Sequence, residues 1–300
     1  MATSLLGIDL GADSLKLAYV YGGEVKRTLR LDVPRDVGMY TSAESFGEYL
    51  RNSLNNIGLR AHDVAVTLPH DKVNTLHTVL TCATDEEAAH VLPQKFDGIA
   101  PGSRHQYLFD YLTLDTPSRT LGEPVAILAA CTRRAFVESL HSAASAAGLR
   151  LVKISPAVCS YISMLRAVQE GEGASFLEYC IMDFGFTSVR LYMFRSDRLT
   201  AEYELRAEPL KNKNFDKFAD AFTAALEHYR SRHPHSPMTH VWPLGGGASE
   251  PMLRSVLADR LKLRVHRATE LIPGSDELPD AELFAQAVGI ALYLPGREPR

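Results

Sequence analysis

One short pattern occurs twice in the sequence, and it constrains the fold more than any other feature. Near the start, three apolar runs are separated by glycine-containing turns, at residues 5–10, 15–21 and 24–31. A second set has Gly185 at its first turn, as the first set has Gly11, and its runs lie at 179–184, 189–194 and 199–205. Each set predicts a β-meander. Two matching half-domains that face each other would form a cleft between two glycine-tipped hairpins.

The segments that follow each meander alternate between strand and helix patterns. The predicted strands lie at 64–68, 125–131, 149–154 and 240–244, and the predicted helices at 42–58, 133–147, 215–229, 249–261 and 283–292. A further helix is predicted after the strand at 149–154, with Ser155 as its N-cap and Pro156 at its first position. This alternation indicates an α/β protein whose helices cover the faces of its sheets.

A polar, glycine-rich stretch at 170–174 predicts the boundary between two lobes. The first lobe is expected to span 1–170 and the second 171–300. Within the first lobe, residues 71–124 predict a small α+β insertion subdomain, since a strand at 74–80 and another at 107–114 flank a helix that contains Pro93. The capping box at 84–87, Thr-Asp-Glu-Glu, predicts where that helix begins.

Composition excludes several classes of function. The net charge of -4 gives no global positive field, so we expect no nucleic-acid partner. The four cysteines stand far apart without a CxxC pair, so their spacing predicts neither a zinc site nor a disulfide framework. No window approaches the roughly 20 apolar residues that a bilayer demands, and Asp9 interrupts the apolar start. We therefore expect membrane association only through a partner.

The first hairpin carries the first candidate for phosphate binding. Its turn is built from small residues that would let backbone N–H groups approach phosphate oxygens, namely Gly11, Ala12, Asp13 and Ser14. Asp9 could hold Mg²⁺ or its bound water, and Lys16 could add positive charge. An ordinary glycine hairpin is the alternative interpretation.

Two further glycine motifs follow in the second half. The strand at 179–184 is followed by Gly185, Thr187 and Ser188, which could serve the other phosphate edge, and Asp183 at its end could hold Mg²⁺ through water. The triplet Gly245, Gly246 and Gly247 stands between an apolar strand and a helix, where missing side chains would let a flat base or ribose approach. An Asp/Gly hairpin and a flexible strand–helix loop are the respective alternatives.

In order and spacing, these three motifs resemble the phosphate-1, phosphate-2 and adenosine motifs of the superfamily of actin, heat-shock chaperone ATPases and sugar kinases. Residues 154–165 and 285–294 stand where that superfamily has its connecting helices. The segment 64–69, the insertion and the stretch 125–148 are similar to the PilM branch of type IV pilus assembly proteins, which is related to FtsA. The resemblance implies an actin-like (ribonuclease H-like) two-lobed fold.

It also implies ATP and Mg²⁺ as ligands, and a partner in the cytoplasmic tail of a PilN-type inner-membrane protein, docked in the groove beside the insertion. The expected location is the cytoplasm, at the inner face of the membrane, with self-association as an option. The activity implied is at most that of a slow ATPase. A pilus, a secretion system or a DNA-uptake machine would each suit such a scaffold.

Two departures from the family pattern leave other functions open. Phe186 and Val189 stand in a second loop that is usually rich in threonine, and residues 206–214 are too short for the usual helical clamp subdomain. A nucleotide-independent interaction module with a degenerate cleft is the main alternative. A small-molecule kinase, with a carboxylate as base, is a third hypothesis.

Overall fold

The structure is a computed structural model that describes residues 4–11, 14–34, 42–81, 84–100, 102–114, 124–172, 178–196, 198–272, 274–275 and 278–292. The strands in these parts are β1 (Ser4–Leu10), β2 (Ser14–Tyr21), β3 (Glu24–Asp32), β4 (Asp63–Leu68), β5 (Val73–Leu80), β6 (Tyr107–Thr113), β7 (Val125–Arg133), β8 (Arg150–Pro156), β9 (Glu178–Phe184), β10 (Ser188–Arg195), β11 (Arg198–Arg206), β12 (His240–Gly245) and β13 (Arg264–Val265). The helices are α1 (Ala43–Asn56), α2 (Asp85–Lys95), α3 (Arg134–Ala146), α4 (Ala157–Glu172), α5 (Glu208–Lys211), α6 (Phe215–Arg232), α7 (Pro251–Ser255) and α8 (Ala285–Leu292).

The strands form three sheets, and two of them repeat the same plan. The first has the order β3-β2-β1-β4-β8 and the second the order β11-β10-β9-β12-β13. In each, an antiparallel meander continues into parallel strands. Both predicted meanders are therefore confirmed. The third sheet, β5-β7-β6, takes β5 and β6 from the predicted insertion, but its central strand, β7, lies beyond the predicted end at residue 124.

Helices cover the sheets because their apolar residues recur at helical spacing. Phe46, Leu50 and Leu54 of α1 are buried and pack with α3 on one face of the first sheet. The Ser42 hydroxyl accepts a hydrogen bond from the Ser45 N–H at 3.2 Å, which confirms the predicted N-cap. Helix α6 covers the second sheet in the same way, because Phe218, Phe222 and other apolar residues along it are buried against that sheet.

The insertion has its own small core. Ala88 and Leu92 of α2, and Phe96 directly after it, are buried against the three-stranded sheet. The Thr84 hydroxyl accepts a hydrogen bond from the Glu87 N–H at 3.2 Å, as the capping pattern predicts. A short 3-10 turn at His70–Lys72 connects β4 to this subdomain.

Two predicted helix starts are wrong. β8 continues through Pro156, paired with Leu68 of β4, so α4 begins only at Ala157. The Ser155 hydroxyl is buried without a hydrogen-bond partner and does not cap the helix. The helix predicted at 249–261 begins only at Pro251. The residues before it form turns, in which the N–H groups of Ala248 and Glu250 donate to the carbonyl oxygens of Gly245 and Gly247. The last part of the helix, Val256–Arg260, is π-helical.

The helices α4 and α8 lie between the two large sheets. Both contribute to one buried cluster that includes Leu5 and Val20 of the first sheet and Ile181 and Trp242 of the second. Two glycines permit the close approach that this layer requires. A Cβ at Gly7 of β1 would overlap the carbonyl oxygen of Ala287, and a Cβ at Gly289 would overlap that of Ser160. No helix of the described residues is long and apolar enough to span a membrane.

We expect Gly289→Ala to lower the free energy of unfolding by about 1–3 kcal/mol, because the added methyl forces α4 and α8 apart. Gly246→Ala is the matched control, since a Cβ there lies 3.7 Å from its nearest neighbour, Leu283 Cδ1. Urea unfolding of the three proteins measures the difference. Equal midpoints for Gly289→Ala and the wild type would contradict the close packing.

Candidate functional site

The ends of parallel strands bring the predicted motifs to one cleft. Asp9 of β1 pairs in register with Thr67 of β4, so the turn after β4 lies at the same sheet edge as Asp9. In the second sheet, Phe184 of β9 pairs with Gly245 of β12, which places the second and third motifs side by side. Ligands of open α/β sheets bind at such carboxyl ends of strands.

Asp9 and Lys16 form the first pair of charged groups in the cleft. Lys16 Nζ lies 3.6 Å from Asp9 Oδ2, and each side chain is 15% exposed. A Cβ at Gly11 would overlap Lys16 Nζ, so glycine is needed for the lysine to lie across the turn. Ser14 is buried at the start of β2, and the predicted site residues Ala12 and Asp13 lie outside the described residues.

Asp183 is the most buried carboxylate of the cleft. Its side chain is 4% exposed, and its Oδ2 accepts a hydrogen bond from Gln286 Nε2 of α8 at 2.8 Å. His70 Nε2 lies 3.5 Å from the same oxygen. Tyr161 of α4 stands nearby, and its pKa is raised well above the usual value by burial and then by the Asp183 carboxylate. The carboxylate is thus held by groups from both halves of the chain.

The two aspartates repel each other. Burial raises the pKa of the Asp9 carboxyl, the charge of Lys16 opposes this shift, and the Asp183 carboxylate adds to it. Despite the adjacent lysine, the pKa of Asp9 lies above its ordinary value. Negative charge at this place is therefore incompletely compensated by the protein.

The glycine triplet fits tightly against the second hairpin. Gly245 has φ of +88°, and a Cβ there would lie 2.8 Å from the Phe184 carbonyl oxygen and 3.0 Å from Asp183 Oδ1. A Cβ at Gly247 would lie 3.2 Å from Phe184 Cβ. Gly246 is less constrained, because Leu283 Cδ1 is the nearest atom, at 3.7 Å. The first and third glycines thus serve packing and turn geometry, while the second has room beside it.

The second hairpin is partly bonded to itself. The Gly185 N–H donates to the Ser188 carbonyl oxygen at 3.0 Å, and the Thr187 carbonyl oxygen accepts from the Ala207 N–H at 3.2 Å. Phe186 at the tip is 59% exposed. Lys211 Nζ of α5 lies 3.6 Å from the centroid of that ring, a cation–π contact.

The charged groups and the free space of the cleft match the chemistry of ATP and Mg²⁺. A divalent cation would offset the mutual repulsion of Asp9 and Asp183, and carboxylate oxygens are the ligands that Mg²⁺ prefers. Within the described residues no three His, Cys, Asp or Glu side chains converge as metal ligands, so the carboxylates suit a hydrated ion. The charge of Lys16 fits the phosphates of a nucleotide, and the space beside Gly246 fits its adenosine. The residues therefore fit the group, with the self-bonded second hairpin as the weakest part.

Three site residues escaped sequence analysis, namely His70, Tyr161 and Gln286. Two of them carried a usable signal. His70 follows the end of β4, which lies parallel to β1, and Gln286 is the one polar residue of α8, Ala-Gln-Ala-Val-Gly-Ile-Ala-Leu. Both could have been noticed as polar groups at a strand end and on a buried helix.

A separate groove lies beside the insertion. Its volume is about 270 Å³, and α4, β6, β7 and β8 all contribute to its walls. Five successive residues of β6, from Leu108 to Leu112, line it, as do four successive residues of β8, from Lys153 to Pro156. Since successive residues of a strand point to opposite faces, both strands present an edge to the groove.

These edges are open within the described parts of the chain. β6 pairs only with β7, and β8 pairs only with β4. Apolar side chains such as Leu68, Val73 and Ile162 line the groove. Asp110, Lys153 and Arg166 add charge to the same walls. The groove thus combines an apolar lining with two strand edges that pair with no further strand among the described residues, which is the chemistry that binds extended peptides.

Comparison with known proteins identifies the fold. No protein-family model and no curated protein matches the sequence. A chain of the PilM–PilN type IV pilus biogenesis complex is similar in structure, with 18% identity over 97% of this chain and 98% of that one and a TM-score of 0.78. A Bacteroides thetaiotaomicron protein with an actin-like ATPase fold matches with 9% identity over 90% and 92% and a TM-score of 0.54.

EutJ, an ethanolamine utilization protein from Carboxydothermus hydrogenoformans, matches with 12% identity over 97% of this chain and 90% of that one, and the TM-score is again 0.54. The chain therefore has the actin-like fold, which confirms the predicted fold class and the resemblance to the PilM structure. The division at residue 170 and the role of each site residue stay predictions.

The aspartates of the first sheet should respond to pH with opposite signs. The raised pKa of Asp9 means that the folded state binds its proton more tightly, so stability falls as pH rises from 3.8 through the folded pKa. Asp63 accepts two hydrogen bonds from Arg150 at 2.7 Å, which lower its pKa to about 2. Its contribution to the stability of the fold is therefore present above pH 3.8 and is lost as the pH falls through its folded-state pKa of about 2.

We therefore expect Asp9→Asn to raise the urea midpoint at neutral pH and to lose this advantage in acid, whereas Asp63→Asn should lower the midpoint at neutral pH. Urea unfolding at several pH values measures both variants. A lower midpoint for Asp9→Asn at neutral pH would show that Lys16 compensates the Asp9 charge fully.

Proposed function

We propose that this chain is a cytoplasmic actin-like scaffold of a type IV pilus or related secretion or DNA-uptake machine. In this proposal, the groove beside the insertion binds the cytoplasmic tail of a PilN-type inner-membrane protein. The observation that carries the proposal is the groove itself, with two open strand edges and an apolar lining. Similarity over nearly the whole chain to a structure from a PilM–PilN complex supports it.

An extended tail would suit this groove physically. Backbone N–H and C=O groups on the open edge of β6 or β8 can pair with an added strand, and alternate side chains of that strand would reach the apolar lining. A volume of about 270 Å³ accommodates several such side chains rather than a folded domain. Through such a tail the scaffold would be held peripherally at the inner face of the cytoplasmic membrane, without inserting into it.

We further propose that the cleft binds ATP with Mg²⁺. Asp9 and Asp183 would hold the hydrated ion, Lys16 would contact phosphate, and the space beside Gly246 would admit the adenosine. Bound together, Mg²⁺ would offset the charges of Asp9 and Asp183 and the nucleotide would bridge the lobes, and so bias their closure. Slow hydrolysis at most is expected, since Asp9 is paired with Lys16 and Asp183 with Gln286, which leaves neither as an evident base.

A nucleotide-independent scaffold is the second candidate. It is favoured by the burial of Asp183 under protein hydrogen bonds and by the self-bonded second hairpin with its exposed Phe186. In that case the contact of Asp183 with His70 would hold the lobes together without a ligand, and Gln286 would fix the Asp183 carboxylate in place.

Filling the groove should abolish partner binding. Ser163 of α4 lines the groove, and we expect Ser163→Arg to weaken the binding of a synthetic PilN-type tail peptide at least about tenfold, a loss of roughly 1.4 kcal/mol. Isothermal calorimetry of the purified protein with the peptide measures the affinity.

Ser139→Arg on α3 is the matched control for this test. The Ser139 and Ser163 hydroxyls donate to the carbonyl oxygens four residues earlier, at 3.0 and 2.9 Å, but Ser139 does not line the groove. Its substitution should leave affinity unchanged. If Ser163→Arg retains wild-type affinity, the docking surface lies elsewhere.

Calorimetric titration with ATP and Mg²⁺, beside thermal melts with and without nucleotide, tests the cleft. We expect binding that raises the melting temperature, little phosphate release, and loss of both effects in Gly246→Leu, because its side chain would fill the space proposed for adenosine. Gly246→Leu should still fold, since the position has an ordinary φ and room for a Cβ. Absence of binding to the wild type at millimolar ATP would favour the nucleotide-independent scaffold.

A further inference from the structure

One short segment connects the groove to the cleft. This segment, Pro69–Thr75, leaves the first sheet after β4, forms the 3-10 turn at His70–Lys72 and begins β5. We infer that it couples occupancy of the groove to the state of the cleft, with His70 and Thr75 as the coupling residues. The inference rests on the proposed binding of a partner tail in the groove.

On the groove side, the middle of the segment is bonded to the groove wall. Val73 lines the groove itself. The carbonyl oxygen of Lys72 accepts a hydrogen bond from the Thr132 hydroxyl at 2.6 Å, and Thr132 is part of the lining. Asn74 Nδ2 donates to the sulfur of Cys131, another lining residue, at 3.8 Å. A ligand that stiffens this wall therefore also stiffens residues 72–74.

On the cleft side, residues near both ends of the segment contact the second sheet. His70 Nε2 lies 3.5 Å from Asp183 Oδ2 at the end of β9. The Thr75 hydroxyl donates to Glu202 Oε2 of β11 at 3.4 Å. Glu202 also accepts a hydrogen bond from Arg190 of β10 at 2.9 Å. These two contacts connect the segment to three neighbouring strands of the other half of the protein.

The geometry makes the coupling reciprocal. A shift of residues 72–74 with the groove wall would displace His70 and Thr75, because at most two peptide units separate each of them from the nearest of these residues. A tail added to β6 would order the three-stranded sheet and so restrict the segment. By linkage, a ligand that changes the position of Asp183 would then change the affinity for the tail by the same factor.

Hydrogen–deuterium exchange of backbone amides, with and without the synthetic PilN-type tail peptide, tests the inference without nucleotide. In the wild type, peptide binding should slow exchange at residues 183–188 by about fivefold or more, in line with ordinary coupling factors. Amides of α6, whose buried side chains pack with those of β9, β10 and β12, serve as the internal reference for global stabilisation. The effect should disappear in the double variant His70→Ala/Thr75→Ala while the peptide still binds.

His90→Ala/Thr78→Ala is the matched control, since Thr78 lies on β5 beyond the segment and His90 bonds only locally, to the Glu86 carbonyl oxygen. This control should respond to the peptide as the wild type does. Unchanged exchange at 183–188 in the wild type with peptide bound would overturn the coupling and leave the partner proposal standing. No peptide binding at all would overturn the partner proposal and this inference with it.

Discussion

The rest of the structure depends on the close packing of α8 between the two large sheets. Gly7 of β1 and Gly289 of α8 remove side chains where backbone meets backbone, so the last helix of the described chain can lie against the first strand. The same helix presents Gln286 to Asp183 of the second sheet. One buried layer thereby joins the two repeats and sets the distance across the cleft.

That arrangement concentrates negative charge where the protein compensates it incompletely. A carboxylate with a raised pKa beside a second, buried carboxylate is unfavourable for stability at neutral pH. Such sites are commonly functional, because a ligand can supply the missing charge. The hydrogen bond that Asp183 accepts from Gln286 and its contact with His70 also give the cleft an internal means of closure. Ligand and protein groups would thus compete for the same carboxylate.

The groove and the cleft are different kinds of site. The cleft is polar and charged, whereas the groove is lined by apolar side chains and two strand edges whose backbone groups have no further strand to pair with among the described residues. Open edges are a liability in a soluble protein, and a partner strand that covers them removes it. This division of chemistry supports the proposed scaffold function, in which the groove would recognise a protein and the cleft would set the conformation of the scaffold.

The local elements could be predicted from the sequence alone. Both meanders, the cap at Ser42 and the insertion helix after Thr84 followed from residue periodicity, turn residues and capping, since each depends on neighbours in the chain. The order of the glycine motifs likewise indicated the fold class. The partners of Asp183 could not be predicted in this way, because His70 and Gln286 lie 113 and 103 residues away in the chain and only folding brings them to it. Tertiary structure also keeps Ser155 in a strand, since the pairing of β8 with β4 outweighs a local capping preference. The groove between the edges of β6 and β8 likewise depends on folding, since sequence periodicity carries no information on which strand edges face each other.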